Sequence, residues 1–211
     1  MTANFPPLPR QLGAAVALLA LATLAYSPGL AGPFVFDDFP NFVLPLRDAS
    51  PTWDSLKGFV LTGQSGPLGR PLSLASFALN YLVGGLSPFG FKVTNLAIHC
   101  LNAGLVYAVV CALLRYLPPM GARAGRLVPT AVAALWLLHP MHLTSVLYVV
   151  QRMTSLSSAF VLLGVLVYLR GRRAQLETRN LAGWSLGVLV PGCLLGATLA
   201  KESGVLLVAY L

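Results

Sequence analysis

Residues 12–31 run for twenty positions without one charged side chain. An α-helix rises about 1.5 Å per residue, so such a run covers the roughly 30 Å hydrocarbon core of a bilayer. Further apolar runs follow at about 89–114, 127–142, 153–169 and 181–200, and a sixth starts near 203 and continues to Leu211. No water is present in the bilayer core to satisfy backbone N–H and C=O groups, so repeated runs of this length specify helices. Composition points the same way: 56% of residues are hydrophobic and 9% charged, against about a quarter charged in soluble domains. The expected fold is an all-α membrane protein. Residues 1–211 form the N-terminal part of a multi-span bundle that is cut off after five to six spans. Arg10 ahead of the first run has the look of a secretion signal, but no small-residue cleavage site stands clear of the run, so it is taken as a retained helix.

The net charge of +8 does not indicate nucleic acid, because the basic residues lie in short clusters between the apolar runs. If Arg10, Arg115, Arg123, Arg126, Arg170, Arg172, Arg173 and Arg179 are cytoplasmic, the loops alternate consistently. Asp37, Asp38, Asp48, Asp54 and Glu202 then lie outside, leaving only Glu177 of the acids within. The segment 32–88 becomes a large extracytoplasmic loop, with the N-terminus in the cytoplasm and the membrane most simply a bacterial inner membrane. Within the loop, Trp53, Leu56, Phe59 and Val60 fall at helical spacing in 51–61. Pro71 is suited to open a second short helix over 72–83. Two juxtamembrane helices therefore form a shelf, separated by a Gly-rich turn at 63–69 that lacks the Gly-Lys-Ser/Thr of a phosphate loop.

Candidate chemistry starts at Asp37-Asp38, two of only six acids in the chain, framed by Phe34, Phe36 and Phe39. On the span 89–114, Lys92, Asn95, His99 and Asn102 recur at steps of three, four and three and share one face. Ionisable groups at that depth ordinarily face a cavity or a partner. Arg70 and Asn80 belong to the second shelf helix, and the planar fork of Arg70 suits a phosphate or a carboxylate, Asp48 and Asp54 included. Around the third and fourth runs come His139, His142, Tyr148, Gln151 and Arg152, with Lys201-Glu202 after the fifth. The His pair could ligate a metal if Asp37 or Asp38 were the third ligand, although no metal is expected. Cys100, Cys111 and Cys193 lie within apolar runs without metal-ligand spacing. Gathered at one leaflet, these charges suit a lipid-linked phosphate held by cations, with an Asp deprotonating an incoming hydroxyl.

Five motifs in order resemble a known family: Phe34-x-Phe-Asp-Asp38, Gly69-Arg-Pro-Leu-Ser73 with Asn80-Tyr81, Phe91-Lys-Val-Thr-Asn-Leu-x-x-His99, His139-Pro-Met-His-Leu-Thr-Ser-Val146 and Lys201-Glu-Ser-Gly204. Together they are similar to the GT-C membrane glycosyltransferases, above all the transmembrane and tetratricopeptide-repeat (TMTC) O-mannosyltransferases and their bacterial relatives. The resemblance implies a GT-C-like bundle and a polyprenyl-phosphate sugar as donor. It also implies transfer with inversion to a protein or lipid hydroxyl, with no further cofactor. It gives the role of general base to Asp38 or Asp37, with Asp38 set slightly ahead. Charge and depth assign Arg70, Lys92, His99, Arg152 and Lys201 to the donor phosphate and cavity. Asn80, Asn95, His139, His142, Gln151 and Glu202 are candidates for acceptor or sugar contacts. The chain departs from the family where Thr-Glu-Ala-Val and Val-x-x-Arg-Ala-Asp are usual: here stand Leu143-Thr-Ser-Val146 and Val150-Gln-Arg-Met153, without the two acids. Two other readings remain: a transporter or flippase for a lipid-linked or anionic substrate, coupled through Lys92 and His99, and a non-catalytic membrane module carrying a C-terminal repeat domain.

Overall fold

A computed structural model describes residues 8–50, 52–63, 65–118, 121, 123–177 and 181–211. Arg179 and Pro51 lie outside these, as does the side chain of Arg10. The secondary structure of the described residues is entirely helical. Helix α1 (Leu8–Leu30) leads into an irregular segment and the short α2 (Leu44–Asp48). The shelf follows as α3 (Trp53–Thr62) and α4 (Pro71–Gly84). The long α5 (Pro88–Leu113) comes next, then α6 (Ala124–Leu137), α7 (Leu143–Leu147) and α8 (Arg152–Leu176). The last apolar run forms α9 (Leu181–Trp184), a π-helical stretch Ser185–Leu189 and α10 (Val190–Ala200), and α11 (Leu207–Tyr210) is the final element.

Among the described residues, three helices are long and apolar enough to cross a membrane: Leu12–Leu30, Pro88–Tyr116 and Val149–Leu176. A fourth crossing arises if α6 and the Pro140–Leu147 segment count as one bent span, and Ser185–Ala200 is a shorter apolar helix. The chain is an integral membrane protein. Its outward face has the inverse of a soluble pattern, with Leu12, Val16, Leu21 and Leu24 of α1 and Leu135 of α6 exposed.

The third run is not the single straight helix expected over 127–142. It bends by 48° after Leu137, because Pro140 forces the residue before it out of helical geometry. His139 is accordingly extended, at φ −68° and ψ 128°.

Helix α5 is the central pillar. Ala22 and Tyr26 of α1 pack beside Ala103 and His99, so those two helices are antiparallel. Asn95 bonds the carbonyls of Val146 and Val149, while Asn102 bonds Ser155, so α5 and α8 run parallel. Helix α8 then packs antiparallel on α10, where Gly196 accepts the Phe160 ring and Gly164 sits against Cys193 and Leu207. With lipid outside, helices gain from close approach at small residues.

These directions bring the end of α1, the starts of α5 and α8 and the end of α10 to one side. The shelf is pinned there by stacked aromatic rings. Phe42 lies 4.4 Å from Phe77 and 5.1 Å from Phe91, between ring centroids, and all three are buried.

Candidate active site

The acidic pair sits on a tight turn just past α1. Asp38 Oδ2 accepts the Val35 N–H at 3.0 Å, and the Asp38 N–H donates back to the Val35 carbonyl at 3.0 Å. Phe36, inside the turn, has φ +42° and is 84% exposed. A bulky residue in that conformation is strained, by about 1 kcal/mol or more, and such strain clusters at functional sites.

The two carboxylates have different surroundings. Asp38 is fully buried, and its Oδ1 accepts the Val150 N–H at 2.7 Å. Burial raises its pKa, opposed by the N–H groups of Val35, Val150 and Val149 and by the charge of Lys92. Asp37 is exposed, and its backbone N–H donates to Tyr148 Oη at 3.0 Å. Asp38, set slightly ahead as the base, is thus the enclosed member of the pair and Asp37 the open one. A base must reach the proton it removes, and Asp38 is enclosed and occupied by the chain's own N–H groups, whereas Asp37 faces outward.

Several cations assigned to a donor phosphate turn out to be structural. Lys92 donates to the carbonyls of Gly29, Gly32 and Pro33 at 3.2, 2.8 and 3.2 Å, capping the C-terminal end of α1 from a neighbouring helix. Arg152 is fully buried. Its Nε donates to Asn95 Oδ1 at 2.7 Å, Nη1 to the Ser76 carbonyl at 3.1 Å and Nη2 to the Phe91 carbonyl at 2.8 Å. Its guanidinium carbon stands 4.8 Å from the Phe77 ring centroid. Asn95 belongs to the same network and also donates to the Val146 and Val149 carbonyls. His99 is buried, with Nε2 2.9 Å from the Leu137 carbonyl, which makes Nε2 the protonated nitrogen; the ring stacks on Trp136. The transporter reading drew on Lys92 and His99, and both are tied to fixed backbone partners.

The half-buried cations are Arg70 and Lys201. Arg70 begins α4 at φ +52°, a left-handed position ahead of Pro71. Its Nη2 lies 2.9 Å from Glu202, not against Asp48 or Asp54, and its Nη1 donates to Met153 Sδ at 3.4 Å. Lys201 donates to Thr154 Oγ1 at 2.8 Å, and Thr154 Oγ1 donates to Gln151 Oε1 at 2.9 Å. Burial and the like charge of Arg70 lower the Lys201 pKa, with Glu202 opposing. Burial would raise the Glu202 carboxyl, but the Arg70 guanidinium outweighs it and holds the group below its ordinary range.

The remaining candidates are dispersed. Asn80 Nδ2 donates to Thr94 Oγ1 at 3.0 Å within the shelf joint. His142 is half-buried against Trp136 at 4.4 Å, whereas His139 is exposed and its Nδ1 accepts the Met141 N–H. Their rings are 6.3 Å apart, and among the described residues no three His, Cys, Asp or Glu side chains come together to hold a metal.

The organising segment is thus residues 148–154. Tyr148 meets Asp37, Val150 meets Asp38, Met153 meets Arg70 and Thr154 meets Lys201. Sequence reasoning noted Tyr148 only as part of a helical face and did not single out Thr154, since contacts 111 and 47 residues away leave no local signature. Beside Asp37, a cavity of about 680 Å³ opens between α2 and α3, lined by Asn41, Asp48, Phe59 and Thr62 among others. Asn41 Nδ2 donates to the Asp37 carbonyl at 2.8 Å, so the cavity rim adjoins the acidic turn.

Comparison with known proteins fits this geometry. Protein O-mannosyl-transferase Tmtc1 of Drosophila melanogaster is 32% identical over 194 residues, covering 88% of this chain and 21% of that protein. Tmtc2 of the same fly is 35% identical over 164 residues, 73% of this chain and 16% of that protein. Over most of its own length the chain is similar to the TMTC protein O-mannosyl-transferases. Human TMTC3 is 28% identical over 199 residues, 90% of this chain and 20% of its own length. The chain spans about a fifth of the length of these curated TMTC relatives. No family model and no solved structure matches it.

Proposed function

We propose that this chain forms the base- and donor-binding part of an inverting membrane glycosyltransferase. The donor is a polyprenyl-phosphate sugar, and the acceptor is a protein or lipid hydroxyl; the relatives' names favour mannose and a protein. Asp37 takes the proton of the acceptor hydroxyl as its oxygen attacks the anomeric carbon from the face opposite the phosphate. The bond from that carbon to the phosphate oxygen breaks, and polyprenyl phosphate leaves. Arg70 and Lys201 hold its negative charge, a stabilisation that is strongest where water is excluded. Arg70 has five N–H donors, so donors remain beyond those on Glu202 and Met153. Exposed Phe36 gives the isoprenoid chain an apolar wall, and the acceptor enters by the cavity between α2 and α3.

The observation that carries this reading is the division of labour within the acidic pair. Asp38 is spent on fixing the turn, while Asp37 stays exposed on a turn tied through Tyr148 to the 148–154 segment that also holds Arg70 and Lys201. The distribution of Lys and Arg favours an extracytoplasmic reaction side and a cytoplasmic N-terminus, and the Arg-rich, Lys-poor, Ala/Leu/Gly-heavy composition favours a bacterial inner membrane.

The test is transfer of radiolabelled sugar from polyprenyl phosphate in membranes carrying the wild-type chain or Asp37→Asn. Loss of transfer with membrane insertion and donor binding intact supports the proposal. Undiminished transfer in Asp37→Asn would overturn it.

A further inference from the structure

At the other end of α5, roughly 39 Å from its start by helical rise, a second cavity of about 220 Å³ lies between α5 and α8. Three guanidinium-bearing residues line it: Arg115 beyond the end of α5, and Arg170 and Arg173 on α8. Arg170 and Arg173 are three residues apart and so share a helix face. Arg172, between them, is not part of the lining and donates to Gln175. The basic residues are therefore not merely spread along a loop, as the positive-inside tendency alone requires. Tyr107, Tyr116 and Cys111 supply polar groups to the same walls. Tyr116 Oη donates to the Leu169 carbonyl at 2.6 Å and ties the two helices together at this end. Arg173 also pairs with Glu177 at 2.8 Å, which takes up part of one charge. The crevice stays open because Ala108 and Ala112, one turn apart on α5, present only methyl groups to it.

The geometry points to a site for the headgroup of an anionic phospholipid, at the membrane face opposite the candidate active site. The crevice lies at the edge of two spanning helices, where a lipid phosphate resides. Guanidinium groups match phosphate oxygens with paired N–H donors, and basic pockets between spanning helices on the cytoplasmic side bind anionic headgroups. The tyrosines have the amphipathic character favoured at the membrane–water boundary. Nothing in the sugar-transfer reading uses this site, and the inference stands or falls independently of it.

The experiment is native mass spectrometry of the chain in mild detergent, titrated with phosphatidylglycerol or phosphatidylcholine. At least about a tenfold preference for phosphatidylglycerol is expected. It should be lost in R115Q/R170Q/R173Q and preserved in Arg123→Gln, a basic residue outside the crevice. Ala112→Leu keeps every charge but fills the crevice, and should abolish the preference even if the triple variant does not fold. Equal retention of the two lipids, or an undiminished preference in Ala112→Leu, would overturn the site. Binding of inorganic phosphate as tightly as the lipid would overturn the lipid assignment.

Discussion

Asp38 and Val150, 112 residues apart in sequence, are joined by a hydrogen bond of 2.7 Å from the Val150 N–H to the buried Asp38 Oδ1. The bond fixes the turn after α1 to the approach of α8 and leaves the neighbouring carboxylate, Asp37, outside. Asp38 is therefore a positioning residue, and the two acids are expected to fail differently when changed.

Asp37→Asn should leave folding almost untouched, because the backbone N–H and C=O of Asp37 that hold the turn are unchanged and the Asn side-chain oxygen can still accept from the Tyr148 hydroxyl that the carboxylate meets. Transfer should fall by about 10²–10⁴-fold, the usual contribution of a general base. Asp38→Asn instead replaces an acceptor oxygen by an NH₂ group and leaves a buried N–H without a partner, at a cost of about 1–3 kcal/mol. Thermal unfolding in detergent, followed by size-exclusion fluorescence, should show a lowered midpoint for Asp38→Asn and little change for Asp37→Asn. Equal midpoints would refute the division of roles.

Arg152 tests the same joint from the other side. It donates to three acceptors on α5 and α4 and packs over Phe77. Arg152→Lys keeps the charge but cannot reproduce the planar fork, and leaves buried acceptors unmet. A loss of about 1–3 kcal/mol is expected for each buried acceptor left without its donor. Poor insertion and early unfolding should accompany it. A Lys variant as stable as the wild type would mean that the network contributes little.

The spans and the shelf were legible because their cause is local. Long, largely apolar runs give α1 and α5, and Pro71 with Gly85 brackets α4. The bend after Leu137 was written in His139-Pro140 but masked by apolar residues on both sides. The polar stripe on α5 was correctly seen as one face, since Lys92, Asn95, His99 and Asn102 are all buried. Sequence gives a face and not the partner across it. Carbonyls just past α1, at the end of α6 and in the first turn of α8 take up these donors, and backbone acceptors have no signature in residue type. The pairing of Arg70 with Glu202 was hidden for the same reason, 132 residues separating them.

Gly204 closes the Lys201-Glu-Ser-Gly motif for a steric reason. A Cβ there would overlap the carbonyl group of Ala197, which is backbone and cannot rotate away. Gly204→Ala should shift the Glu202–Leu206 turn, pull Glu202 from Arg70, and cost about 1–3 kcal/mol through overpacking. Gly58 on α3 has open space around it, and Gly58→Ala should be neutral or stabilising by up to about 1 kcal/mol. Unfolding midpoints of the two variants check both statements, and a harmless Gly204→Ala would contradict the packing.

If Lys201 holds the donor phosphate as proposed, it should set the alkaline limit of donor binding. Burial and the nearby Arg70 charge lower its pKa, so it loses its proton at lower pH than a free lysine, whose pKa is about 10.4. Only the protonated amine attracts the donor phosphate. As pH rises through the lowered pKa the charge disappears, so KM for the polyprenyl-phosphate sugar should rise on the alkaline side while kcat changes less. An arginine stays charged throughout that range, so Lys201→Arg should flatten the alkaline rise even if its affinity at neutral pH is reduced. Glu202 changes the opposite limb: its pKa is depressed by Arg70, so the ion pair is complete above the ordinary carboxylate range and is lost only as pH falls through the depressed value. Measuring KM and kcat from about pH 5 to about pH 10 for wild type and Lys201→Arg isolates the Lys201 limb, because the Glu202 limb lies below that window. An alkaline rise in KM that persists unchanged in Lys201→Arg would remove Lys201 from the donor site.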